Sequence, residues 1–291
     1  MAGKRDLVIV TAGDDSLHLA FAEGRDFDLW VMYYGDDSQK ARRFAKGCDR
    51  FFGQQGLKWD LVRSLAGTHL DGSQSIFSGY RYIFLPDDDL AFPNGALDVS
   101  QLFESAADID ADVFQPAIAN KHWSWEATVR RPDSHCRAVN IAEIMMPGYR
   151  ACIFTDVILP LLHASAHIRA GWGLETLIGR FAEVLLRRPV RTFVLDHLPV
   201  VHTRAVGQDS PLHRIGHDEL FLAPVAFGQQ MRTYARFEDV GSAREFKFPF
   251  LADEFVASDI DAHLAWVRFA RFGLRWRERL HRWLGKREPQ R

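Results

Sequence analysis

Three consecutive aspartates, Asp87, Asp88 and Asp89, stand directly after the run Tyr-Arg-Tyr-Ile-Phe-Leu at residues 80–85. Like charges at that spacing repel, and each raises its neighbour's pKa unless a cation neutralises them. A divalent cation is the simplest remedy. In extended backbone, residues two apart point the same way, so Asp87 and Asp89 are expected to share a face. Asp88 is expected to point elsewhere, capping a helix or binding backbone. Hard carboxylate oxygens select Mg2+ or Mn2+, which keep open positions for a diphosphate. The competing reading is a solvated loop whose aspartates cap the next helix. A distant further ligand is offered by His202, late in Asp196-His197-Leu198-Pro199-Val200-Val201-His202. Imidazole on an otherwise oxygen site favours Mn2+ over Mg2+, although a lone histidine is more often structural.

A second chemical feature is Gly171-Trp172-Gly173-Leu174-Glu175. Two glycines around a tryptophan permit close backbone approach or positive φ. Glu175 then falls in the first turn of a helix, where the dipole favours its charge. There it could act as a general base on a sugar hydroxyl, with Trp172 lining the acceptor pocket; an ordinary first-turn glutamate is the alternative. His122, Trp123 and Trp125 lie on a polar stretch that could hold the acceptor or simply pack the edge of a hairpin.

These residues need a scaffold, and the hydrophobic pattern supplies one. Residues 6–11 and 27–34 read as buried strands, each ending in paired aspartates, with a helix-compatible stretch at 16–24 between them. Strand, helix and strand at that spacing imply a parallel sheet, and such sheets bind ligands outside the carboxyl ends of their strands. Residues 39–53 read as a helix, 59–65 as a short strand and 80–85 as the clearest strand. A helix is expected at 99–107, a strand at 112–117 and a loop or edge hairpin at 120–135. Regular structure resumes at 139–145 and 151–162. A helix runs from the Gly-Trp-Gly turn to about residue 186, and a strand at 191–196 leads into a loop holding His197 and His202. Residues 207–219 read as polar and mobile.

The chain's 291 residues, 47% of them hydrophobic, suffice for a sizeable core. A formal net charge of −2 gives no bulk attraction to nucleic acid. Cys48, Cys136 and Cys152 are odd in number and lack a CxxC spacing, which argues against a disulfide framework or zinc site and fits a reducing compartment. No stretch reaches membrane-spanning length, so a cytoplasmic protein is expected. Residues 265–291 differ from the rest, with nine Lys and Arg against two Glu. Trp266, Phe269, Phe272, Trp276, Leu280 and Trp283 recur there at steps of three or four, the pattern of an amphipathic helix with a basic face. That helix either packs on the domain or makes peripheral contact with an anionic membrane, at its inner face.

At these residues the sequence resembles the GT-A class of glycosyltransferases, and more closely an uncharacterised family, number 707 among the domains of unknown function. The matching pieces are Lys58-Trp59, YRYIFLPDDDL, DVFQPAI, EIMMPGYR, GWGLE and VVHTR, in that order over residues 5–205. The resemblance implies that Asp89 binds metal, that Asp87 meets the nucleotide ribose or the metal, and that His202 completes the metal shell. It implies nucleobase contacts at Thr11, Ala12 and Asp36, and it makes Glu175 the acceptor base. Asp88 and Lys58 are counted with the nucleotide-sugar-binding residues. One departure is Thr176, which stands where a second acidic residue is common.

The expectation is an α/β fold with a GT-A-like (Rossmann-like) mixed, mainly parallel sheet flanked by helices. The domain would occupy residues 1–255, followed by a basic amphipathic C-terminal helix at 256–291. The expected activity is metal-dependent transfer of sugar from a UDP- or GDP-linked donor to a glycan or lipid-linked acceptor, with Mn2+ or Mg2+. Two rivals stand beside it. One is a metal-dependent phosphoryl-transfer enzyme, which needs more converging carboxylates than one cluster provides. The other is a non-catalytic nucleotide-sugar-binding or membrane-surface scaffold.

Overall fold

A computed structural model describes residues 5–70, 76–120, 125–164, 166, 168–186, 188–204, 212–216 and 219. Its centre is a nine-stranded sheet. The first strand, β1 (Arg5–Ala12), and β2 (Asp28–Tyr33) pair in parallel from Leu7 opposite Asp28 to Ala12 opposite Tyr33. The connection expected as a helix at 16–24 is a single 3-10 turn, His18–Phe21. After β2, Asp37 caps α1 (Ser38–Lys46) by accepting from the Gln39 and Lys40 amides at 2.8 and 3.2 Å. The single long helix expected at 39–53 is therefore shorter. It ends at Gly47 and gives way to an edge strand, β3 (Arg50–Gly53), whose Phe51 and Phe52 pack on the sheet.

The expected strand at 59–65 is instead part of a helix, α2 (Lys58–Leu70). Trp59, Leu61, Val62, Leu65 and Ala66 are buried. Their spacing of three to four is the helical period, and it outweighs the strand-like composition of Trp, Leu and Val. Asp60 and Arg63 pair across one turn at 2.8 Å. Next come β4 (Tyr80–Phe84), β5 (Leu90–Ala91), α3 (Ala96–Asp108) and β6 (Val113–Ile118). The described residues of the 120–135 stretch hold one short 3-10 turn, Glu126–Thr128, and no strand. Two three-residue strands follow, β7 (Arg137–Val139) and β8 (Gly148–Arg150). Helix α4 (Ala151–Ile153) passes through a π-helical turn, Phe154–Ile158, into α5 (Leu159–Ala164). The Gly-Trp-Gly turn opens α6 (Leu174–Leu186), as its glycines suggest, and β9 (Thr192–His202) follows.

The sheet order is β3-β2-β1-β4-β8-β6-β9-β5, with β7 also on β9. Strands β1 to β4, β6 and β9 run one way; β8 runs against both β4 and β6. Inserting β8 requires close packing, because a Cβ on Gly148 would overlap the Phe114 ring. One face of the sheet packs α2, α5 and α6 around Trp30, Trp59, Phe154 and Phe181; the other packs α3 around Phe84, Phe103 and Phe114.

The loop expected to hold His197 and His202 is part of β9. The strand bulges at residues 196–198, where pairing jumps from Leu195 to Pro199, and then continues to His202 opposite Leu90. The bulge is held because buried Asp196 takes the Arg137 guanidinium at 2.7 Å and the Arg131 amide at 2.7 Å. Residues 212–216, expected to be mobile, are helical, and Glu219 is buried. The basic tail and the proposed boundary at residues 255–256 lie outside the described residues.

Candidate functional site

The aspartate triplet sits where β4 leaves the sheet, at the carboxyl end of the parallel strands. Asp87 still bridges Thr11 at the end of β1, and the chain turns at Asp88 and Asp89 before β5. The three carboxylates take different partners, Asp88 binding backbone as expected, while the charge of Asp89 acts on Asp87 more strongly than that of adjacent Asp88. Asp87 meets the Lys58 ammonium at 2.7 Å. Asp88 accepts from the Gly13 amide at 2.7 Å and the Tyr34 hydroxyl at 3.2 Å. Asp89 meets His202 Nε2 at 3.1 Å. Arg204 lies at 3.1 Å from Asp88 and 3.7 Å from Asp89.

The electrostatic remedy for the clustered charge therefore includes protein cations. Lys58, the first residue of α2, is the larger surprise. Its ammonium is ringed by the carbonyls of Leu85 at 2.7 Å, Ile144 at 2.7 Å and Met145 at 3.1 Å, besides Asp87. Four acceptors exhaust the three N–H donors of a lysine. Its nearest role is thus to weld α2, the triplet and the 144–145 segment together. Burial pulls the Lys58 pKa down, opposed by Asp87, and pushes the Asp87 pKa up, opposed by Lys58. Desolvation outweighs attraction on both partners, as expected for a pair largely removed from water. The Asp88 carboxyl is likewise pushed up by burial, opposed by the Gly13 amide and Arg204.

Asp89 and His202 are brought together by register. Leu90 pairs with His202 across β5 and β9, and the Thr203 amide and hydroxyl both donate to the Asp89 carbonyl, at 3.0 and 2.8 Å. Both side chains are almost fully buried. Among the described residues no group of three or more His, Cys, Asp or Glu converges as a metal cage. The Asp89–His202 pair alone does fit a hard divalent ion. Two cis ligands about 2.1 Å from an octahedral ion lie about 3 Å apart, close to the 3.1 Å seen here. Such an ion would rely on bound diphosphate and water for its other positions.

At the ends of β1 and β2, Thr11 is buried, the Ala12 carbonyl accepts from the Tyr34 amide at 3.0 Å, and Asp36 is exposed and accepts from Gln55 at 3.3 Å. Asp14 knits the two loops: it takes the Tyr33 hydroxyl and the Asp36 and Asp37 amides, at 3.4 and 3.2 Å for the amides. The Tyr33 hydrogen bond, the largest cause, lowers the Asp14 pKa.

Glu175 does lie in the first turn of α6, but its carboxyl turns back to accept the Gly173 amide at 2.9 Å. Burial pushes its pKa up to about 7, opposed by backbone hydrogen bonds and the Trp125 side chain and reinforced by the charge of Glu143. It borders a cavity of about 10 Å³ shared with Tyr149, Asn140 and Thr192, room for about one water. The Trp125 side chain hydrogen-bonds Glu175. Trp172 is half-buried, edge-on to His213 with ring centroids 5.2 Å apart. His122 and Trp123 lie outside the described residues. The segment carrying Glu143 also supplies the Ile144 and Met145 carbonyls to Lys58, so one strip of chain runs from Glu175's neighbour to the triplet. The sequence reading gave no role to Arg204, Tyr34, Glu143 or Glu219, although VVHTR holds Arg204 and EIMMPGYR holds Glu143; Asp14 was read only as one of the paired aspartates ending the first strand.

No protein-family description matches this chain, and no curated protein matches it. Solved structures do. TarS from S. aureus, residues 1–349 in complex with UDP-GlcNAc, superposes with a TM-score of 0.52 at 11% identity, over 78% of this chain and 66% of that one. The same protein with UDP gives 0.48 at 13% identity, over 78% and 65%. The chain thus spans slightly less than two thirds of these relatives' length. The fold is a mixed, mostly parallel α/β sheet of the kind seen in TarS.

Proposed function

We propose that this protein transfers a sugar from a nucleotide-sugar donor to a hydroxyl acceptor. The observation that carries the reading is the Asp89–His202 pair at the carboxyl end of the sheet, beside the loop that Asp88 ties down through Gly13. The complex of TarS with UDP-GlcNAc supports it by fold.

Asp89 and His202 would hold Mn2+ or Mg2+, which when bound supplies charge neutralisation on the diphosphate leaving group. Asp88 fixes Gly13 and Tyr34, so the ends of β1 and β2, with Thr11, Ala12 and Asp36, keep one shape for the nucleoside. Arg204 neutralises Asp88 and Asp89 in the absence of donor, and in its presence can turn to the phosphates. Glu175, with an apparent pKa of about 7, would accept the acceptor's proton, which is the range where a carboxylate is both ionised and basic. Trp125 and Trp172 would hold the acceptor, a glycan or lipid-linked sugar.

A second reading, donor binding without metal, is favoured by Lys58 and Arg204 already balancing the carboxylates. Calorimetric titration of UDP and GDP, each with and without Mn2+, into wild type and Asp89→Ala separates the two. Binding that needs both Mn2+ and Asp89, followed by turnover of the matching nucleotide sugar, supports metal-dependent transfer. Binding indifferent to Mn2+ supports the second reading, and no binding of either nucleotide refutes both.

A further inference from the structure

Glu219 is 2% exposed, and no charged group pairs with it at salt-bridge distance among the described residues. Its carboxylate instead receives three successive backbone amides: Arg169 at 2.8 Å and Ala170 at 2.9 Å on one oxygen, Gly171 at 2.7 Å on the other. Consecutive N–H groups curled around an anion form a nest, which is a strong carboxylate site. The nest leads directly into the Gly171-Trp172-Gly173 turn that precedes Glu175.

That turn is tightly specified. Gly171 and Gly173 have φ of +87° and +95°, conformations that disfavour side chains. A Cβ on Gly171 would overlap the Trp59 indole, and a Cβ on Gly216 would overlap the Trp172 indole. The Trp59 amide also donates to the Arg169 carbonyl at 3.1 Å, and Arg169 reaches Asp60 at 2.8 Å. Glu219 and Gly216 thus grip the turn at two points, the carboxylate in the nest and the glycine on Trp172. Immediately beyond, the Gly173 amide holds Glu175.

We propose that Glu219 is a positioning residue for this site: by filling the nest it locks the Gly171–Gly173 turn, and so sets how deeply Glu175 is held. The role assigned to Glu175 rests on the proposed transferase reading, but the clamp itself does not. Glu143 and Tyr149 are titratable neighbours of Glu175, and neither is among the groups that hydrogen-bond Glu219, which are the amides of Arg169, Ala170 and Gly171.

The test is carboxyl NMR of the full chain labelled with 13C-glutamate, the Glu175 signal being assigned by its loss in Glu175→Gln. Wild type should titrate near 7. In Glu219→Ala the midpoint should fall by about one unit or more as the turn loosens and water enters. Added formate, which can occupy the emptied nest, should move it back. If Glu219→Ala does not fold, Glu219→Gln keeps the side chain's size while removing its charge from the nest, and a smaller drop in the same direction is expected. An unchanged midpoint in the folded variants, or a wild-type midpoint near 4.5, overturns the inference. A nucleotide-sugar turnover assay run in parallel keeps the two ideas apart. If Glu175→Gln turns over normally, the base assignment falls, while the titration still decides the clamp.

Discussion

Replacing Lys58 by Met would remove a cation while keeping the side chain's length. Met has no N–H, so the Leu85, Ile144 and Met145 carbonyls lose their donor, and Asp87 is left facing Asp88 and Asp89 without its ammonium. Breaking a fully buried pair costs about 3–5 kcal/mol. The Asp87 side chain is 34% exposed and Lys58 11%, so the lower end, about 3 kcal/mol, is appropriate. At about 2–4 °C per kcal/mol for a chain of this size, the melting temperature at pH 7.5 should fall by about 6–12 °C. The loss should shrink in acid. Without Lys58 the folded Asp87 pKa rises further above its unfolded value, so the folded chain keeps a proton the unfolded chain has released, and stability falls as pH rises through that window. Lys58→Met with Asp87→Asn removes the stranded charge and should recover part of the loss. Thermal melts by circular dichroism at pH 5 and pH 7.5 measure this. A single variant melting within about 2 °C of wild type, or a double variant no better than the single, would refute the weld.

Glu175 and His18 make opposite contributions to acid stability. Glu175 titrates near 7 folded against 4.5 unfolded, so stability falls as pH rises through that window, by about 3 kcal/mol at most. His18 is buried, with no hydrogen-bond partner on Nε2, and burial lowers its pKa from 6.5 to about 4. The unfolded chain therefore binds its proton first, and stability falls as pH drops through the same region. Glu175→Gln should melt level with wild type at pH 4.5 and about 6 °C above it at pH 8, unmasking the His18 slope; equal melting at pH 8 would count against a raised Glu175 pKa. Arg204→Ala should raise Mn2+ affinity about 2–5-fold without nucleotide, since a half-exposed ion pair with Asp88 and Asp89 is worth up to about 1 kcal/mol. Unchanged affinity by calorimetry would show that Arg204 does not compete with the ion. His202→Ala should weaken Mn2+ binding by at least about 100-fold if that nitrogen is a ligand, more than the loss of an outer partner. Gly148→Ala should cost about 3 kcal/mol through overlap with Phe114, relieved by adding Phe114→Leu; a denaturant melt showing no relief would point to another neighbour.

The parts of the fold with strong periodic signals were readable in the sequence. Residues 80–84 form a strand because Tyr, Ile and Phe dominate there and Tyr82–Phe84 are buried, and α6 begins after Gly173 because the glycines end the previous path. The α2 segment misled because Trp, Leu and Val favour strands by composition, while its burial follows a step of three to four. Strands β5, β7 and β8 have two or three residues each, too few for any period, yet β5 is what places Asp89 beside His202. The triplet's chemistry was only partly visible. Adjacent sequence showed the repelling carboxylates, but not that Lys58, 29 residues away, would answer Asp87. Glu219 was invisible because its partners are main-chain amides about fifty residues back, and backbone donors carry no sequence signature.

At the strand-start end of the sheet the charges are arranged differently. Buried Asp112 takes Arg150 at 3.1 Å and Arg188 at 2.7 Å, and also the Arg191 amide at 3.1 Å. Nearby, Asp6 holds Arg81 and Asp28 holds Arg5. These three carboxylates are each matched by arginine, whereas the rim triplet is met by Lys58, His202 and Arg204. Mutational tolerance therefore divides along the strand axis. Changes at the floor remove braces shared by several strands and lower the amount of folded protein. Changes in the rim loops, apart from the Lys58–Asp87 weld, leave those braces intact. The rim can therefore vary, away from Lys58 and Asp87, without rebuilding the sheet.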